Sequence, residues 1–165
     1  MGRKSTKENK NIYQISRENL ELSREAAAER LGFISDDRIE KIENEKSTAH
    51  PDEILAMADA YKTPSLCNYY CSHECPIGIK YVPEIRAKEL SQITLEMLAA
   101  LNTLSKKKDR LIEMTVDGEI SPDEMPDFLA LQDELEKMAI VIDSLNLWID
   151  NSIANGKLDK TLMQK

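Results

Sequence analysis

At 165 residues the chain is long enough for one ordinary domain, or a small domain with an extension; 5% aromatics and 32% charged residues favour an all-helical protein over a sheet. A net charge of −8 argues against non-specific nucleic-acid binding over the whole surface, because phosphate neutralisation by Lys and Arg supplies most of that affinity. No apolar run approaches the ~20 residues that cross a bilayer, and the first ten residues lack the apolar core of a signal peptide, so a cytosolic protein away from membranes is expected.

The charge is uneven along the chain. Residues 1–10 carry four basic side chains against one acidic, residues 11–66 seven against twelve, and residues 67–165 eleven against seventeen. Residues 1–10 read as a flexible basic tail, either a solvated terminus or an arm that reaches phosphate or a minor groove. Any contact with nucleic acid has to be local.

A first helix is predicted from about Asn11, with Ile12, Ile15 and Leu20 as its apolar face. Two short helices follow within residues 22–42. Ser23 caps the first of them, and Ala27, Ala28 and Leu31 share a face until Gly32 ends it. Ser35 caps the next, with Ile39 and Ile42 inward and Asp36, Asp37, Arg38 and Lys41 outward. Small residues where two helices cross steeply through a tight turn are how a helix-turn-helix is built. A further helix starts at Pro51, with Asp52 and Glu53 favourably placed against its dipole and Ile54, Leu55, Met57 and Ala58 in helical spacing.

Arg17-Glu18, Leu22-Ser23, Ala28, Leu31-Gly32-Phe33, Ile39, Ile42-Glu43 and the run from Ile54 to Tyr61 together resemble the phage-repressor family, also called Xre or Cro-type, over about residues 11–66. The resemblance implies a five-helix domain whose third helix enters the major groove of double-stranded DNA. It implies DNA contacts from Arg24, Ser35, Asp36, Asp37, Arg38 and Lys41. The chain departs from the family pattern in three places. Glu21 stands where glycine is usual, the turn Phe33-Ile34-Ser35 is one residue longer than the common form, and Asp36 and Asp37 set carboxylates beside phosphate positions. Those two aspartates are also read as ordinary first-turn residues favoured by the helix dipole. DNA binding and a domain reused for protein contact therefore both stand.

Residues 67–83 form a cysteine-rich connector that holds Cys67, Cys71, Cys75 and His73. Three readings are open here. The thiols pack a joining helix together with Tyr69 and Tyr70, they close with His73 around zinc, or they sense oxidation. In a reducing compartment a disulfide framework is not expected.

Residues 84–154 predict a long antiparallel helical hairpin, coiled-coil-like. Leu90, Met97, Leu104 and Leu111 repeat every seven residues, Ile93 and Ala100 fall between them, and Lys107 interrupts the seam. After a turn at Asp117-Gly118, a second series runs through Phe128, Leu131, Leu135, Met138, Ile142, Leu145 and Ile149. Leu129, Ile140, Val141, Leu147 and Trp148 lie off that seam, and something has to cover them. Homodimerisation through the hairpin is one cover, and packing against residues 1–83 is the other. Residues 155–165 open with Asn155-Gly156 and are expected to fray.

A calcium loop over residues 113–124 is a poor match, since Thr115 replaces a carboxylate and Glu113 an aspartate. No arrangement of residues points to an enzyme. The sequence thus describes an all-α transcriptional regulator that binds DNA and carries a hairpin for dimerisation or partner sensing. The alternatives are a protein-binding module of the same fold, and a metal or thiol sensor.

Overall fold

The computed structural model describes residues 9–159 and 161, so residues 1–8 of the expected tail, and residues 160 and 162–165 of the expected frayed end, lie outside the described residues. Among the described residues eight helices follow one another: α1 Ile12–Asn19, α2 Arg24–Leu31, α3 Asp36–Glu43, α4 Pro51–Ala60, α5 Ser65–His73, α6 Gly78–Tyr81, α7 Leu90–Thr115 and α8 Met125–Ala154. Among the described residues there is no strand, and no helix is long and apolar enough to cross a membrane. The chain adopts the expected all-α fold, a five-helix domain followed by two long helices. By their contacts the residues divide into Met1–Glu84 with Ile149–Lys165, and Ile85–Trp148.

In the first unit α1 to α5 enclose one core, in which Ala27, Ile39, Ile54, Met57 and Leu66 are fully buried. The helix starts are fixed by side chains that accept otherwise unpaired backbone N–H groups. Asn11 accepts from Gln14, Ser23 from Ala26 and Ser35 from Arg38. Ala27 has the smallest side chain available short of glycine, and it stands where α2 has to lie close to its neighbours. Leu66 carries α5 into the same core, with Cys67, Tyr69 and Tyr70 packed against it.

Two apolar faces differ from the sequence reading. On α1, Ile15 is exposed, while Tyr13, Gln14, Ser16 and Arg17 are buried. The inward side of α1 carries an ion pair, and apolar spacing alone passes over it. On α4, Leu55 is exposed while Ile54, Met57 and Ala58 face the core.

In the second unit α7 buries Ile93, Ala100 and Met114, and half-buries Met97, Leu104, Lys107 and Leu111. These positions alternate in steps of three and four and follow the expected seam, apart from Leu90, which is exposed. On α8 Leu131 is buried, but Leu135 and Ile142 stay 50% and 46% exposed while Val141, Ser144 and Leu147 are buried. Met138 and Leu145 of the expected series stay half-buried, so only its Leu135 and Ile142 positions are displaced, in favour of Val141 and its neighbours. α8 has apolar residues to bury on either side of that series. Ser144 meets burial by donating its hydroxyl to the Ile140 carbonyl at 2.8 Å. Between α7 and α8, Gly118 takes a φ of +80° and Asp117 accepts from the Glu119 N–H, while Glu124 accepts from both the N–H and the hydroxyl of Ser121.

Candidate nucleic-acid interface

The α2–turn–α3 unit is held by its glycine and by the residue after the exposed aromatic. Gly32 has a φ of +76°, a conformation that a side chain would strain, and it ends α2 by donating to the Ala28 carbonyl at 2.9 Å. The long turn that follows puts Phe33 outside and Ile34 in the core. Before α2, Glu21 holds a φ of +56°, so this non-glycine residue adopts the left-handed conformation that glycine takes without steric cost.

From this frame α3 buries Ile39, Ile42 and Glu43, and turns Ser35, Asp36, Asp37 and Lys41 to solvent. The two arginines expected as contacts are differently placed. Arg38, expected to point outward, folds back onto α4. Its Nε and Nη2 donate to the two carboxylate oxygens of Glu53, each at 2.7 Å, while Nη1 reaches the Ser47 hydroxyl and Nη2 also reaches the Thr48 carbonyl. The bond from Arg38 holds the Glu53 carboxyl below its usual range, against the opposing effect of partial burial, with help from the His50 N–H. Arg24 donates from Nε to Glu43 at 2.9 Å and lies 3.4 Å from Glu40, with 30% of its side chain still exposed.

Beneath Arg24 lies a pair that sequence reasoning missed. Arg17 meets Glu43 through two hydrogen bonds and also donates to the Leu22 carbonyl. Burial works against the Arg17 charge, but bonding and attraction from Glu43 more than offset it and raise the guanidinium above its ordinary value. Its signal was the spacing of Tyr13, Arg17 and Leu20, which puts Arg17 on the core-facing side of α1. The outward side of α3 is thus left with carboxylates at Asp36, Asp37 and Glu40 against the ammonium of Lys41, with Lys46 exposed just beyond the helix.

Cys67 and Cys71 on α5, and Cys75 just past its end, are half-buried and unbridged. Burial pushes the Cys67 thiol up, opposite to what a reactive or metal-binding sulfur needs. His73 stacks on Tyr69 with ring centres 4.5 Å apart, and its Nδ1 lies by the Ser72 hydroxyl and the Tyr69 carbonyl. Among the described residues no three His, Cys, Asp or Glu side chains gather as a metal site requires, so Cys67, Cys71, Cys75 and His73 are not brought together as a zinc site.

Residues 14–66 match the family model described as a helix-turn-helix domain. No curated protein matches the chain, and no solved structure does.

Proposed function

We propose, from a chain whose residues 14–66 are a helix-turn-helix domain consistent with the phage-repressor type, that it is a cytosolic, non-enzymatic transcriptional regulator. It binds double-stranded DNA by setting α3 in the major groove. The observation that carries this reading is the division of α3. Ile39 and Ile42 anchor it in the core, while Ser35, Asp36, Asp37 and Lys41 remain free to meet a groove. Ser35 and Lys41 then meet phosphate or base edges, Asp36 or Asp37 accepts from cytosine N4, and Arg24 adds a partly exposed positive charge. Arg38 acts by holding the start of α3 against α4 rather than by touching DNA.

A second copy completes the reading. The part-exposed series on α8 with Leu135 and Ile142 is the surface through which the hairpin dimerises, and two-fold symmetry suits paired half-sites. Titration of the full chain against the DNA upstream of its own gene tests the proposal. Binding that weakens steeply with salt, and weakens across sequences in Lys41→Ala, supports it. Failure to bind that DNA at low salt overturns it.

One observation favours a second reading, in which the same surface recognises a basic protein. Arg38 is fully engaged by Glu53, Ser47 and Thr48, and Arg24 by Glu43 and Glu40, so the exposed side of α3 is mainly acidic.

A further inference from the structure

Lys107 is out of place by every measure of its helix. The inward positions of α7 run Ile93, Met97, Ala100, Leu104, Lys107, Leu111 and Met114, so a single ammonium interrupts an apolar stripe. A lysine stem can lie along such a stripe while its head reaches out to water or to a polar partner. The partner here is weak. Lys107 Nζ donates to the backbone carbonyl of Ala130 on α8 at 3.2 Å, and among the described residues it forms no ion pair with a carboxylate. The neighbouring Arg110 is well partnered, donating to Asp127 at 2.8 Å and to Glu113 at 3.4 Å.

These groups wall a cleft of about 120 Å³ between α7 and α8, lined by Lys107, Arg110, Met114, Asp127, Ala130 and Leu131. Its apolar side is formed by the buried Met114 and Leu131. The carboxylate in the lining, Asp127, is paired by Arg110, so Lys107 is the lining cation without a carboxylate partner among the described residues. A cavity of about 150 Å³ is enough for benzene, so this cleft takes a charged head and a short carbon tail, but little more.

We propose that the cleft binds a small organic carboxylate with a short apolar tail. The carboxylate pairs with Lys107, replacing a long bond to a neutral carbonyl with an ion pair, and the tail lies against Met114 and Leu131. By bridging α7 and α8 near their turn, the ligand stabilises the hairpin by mass action. This site stands whether or not the N-terminal domain binds DNA.

The full chain is titrated with butanoate, with butanamide as the uncharged isostere and inorganic phosphate as the anion without a tail. The Met114 methyl resonance, assigned by its loss in Met114→Leu, reports binding, and a thermal melt is run alongside. Saturable movement of that resonance by butanoate is expected, with a raised melting temperature. Butanamide and phosphate should each bind about tenfold or more weakly, as loss of the ion pair or of the tail contacts requires. Lys107→Met, which restores an apolar stripe and should fold, loses butanoate by a similar factor, while Lys107→Arg retains it. Absence of saturable binding overturns the proposal. So does equal binding of butanamide or phosphate, or a Lys107→Met chain that titrates like the parent.

Discussion

Arg17 and Glu43 face each other across α1 and α3 in two parallel hydrogen bonds of 2.6 and 2.9 Å, and Glu43 is only 1% exposed. Arg24 donates to the same carboxylate from the edge of the domain, so one buried acid ties α1, α2 and α3 together. A carboxylate in that position is stable only while its cations are present.

Removing one partner therefore costs far more than removing both. Arg17→Met removes the doubly bonded cation from the buried Glu43 and is expected to destabilise the domain by about 3–5 kcal/mol. Arg17→Met with Glu43→Leu should recover much of that loss, since apolar replacement of a buried pair is often near neutral. Chemical denaturation of the parent, both single variants and the double variant measures the coupling. Additive losses would show that the pair does not act as a unit.

Arg38 and Glu53 predict a pH dependence. The Glu53 carboxyl is held below its ordinary value in the folded chain, chiefly by the bond from Arg38. A depressed folded value means that the stabilisation is present above the unfolded carboxylate range and is lost as pH falls through the folded value. The parent should lose stability on acidification through that range more steeply than Glu53→Gln. At neutral pH, Arg38→Ala should cost about 1.5–3 kcal/mol of stability, as expected for a hydrogen bond to a charged group. Melting curves across the acid range check both statements. Equal slopes for parent and Glu53→Gln would remove this pair as the cause.

Gly78 is fixed by contact rather than by dihedral angle. A Cβ at this position would lie 2.0 Å from the carbonyl oxygen of Cys71, a backbone atom that cannot turn aside. Gly78→Ala should force α6 off α5 and cost about 1–3 kcal/mol or more. Loss of stability with retained helix content by circular dichroism is the expected result, and a variant that melts like the parent would show that α6 is not held there.

Much of the fold was legible because its signals are local. Ser23, Ser35, Gly32 and Pro51 punctuate the chain, and Ala27, Ile39 and Ile42 recur at helical spacing, so four helices of the N-terminal domain and the long hairpin could be read, while the fifth helix was implied only by the family resemblance. The interface was only half legible. Spacing puts Arg38 on the outward side of α3, but a long side chain can fold back. Whether it does depends on Glu53, fifteen residues on, and Ser47, nine residues on. Arg17 was hidden for the converse reason, since a charged residue reads as surface until its buried partner is known. On α8 the sequence offers several apolar faces, and periodicity cannot choose between them when Val141 and Leu147 compete with Leu135 and Ile142.

Asp36 and Asp37 decide between the two readings of α3. Both are exposed on the first turn of α3, and neither forms an ion pair among the described residues. In a major groove each would stand near phosphates, where like charges repel, so neutralising them should strengthen binding to any duplex. Asp36→Asn with Asp37→Asn should leave the fold intact, because Ser35 still caps the helix and only a dipole benefit of ~0.3–1 kcal/mol per carboxylate is lost. Groove insertion therefore predicts tighter binding of the double variant to a random duplex, with the gain largest at low salt, where phosphate repulsion is least screened. Protein recognition predicts no gain on DNA and loss of a partner whose surface is basic. Parent and double variant titrated against one random duplex at two salt concentrations separate the cases. A double variant that gains nothing at low salt would end the case for α3 in the groove and transfer the function to protein contact.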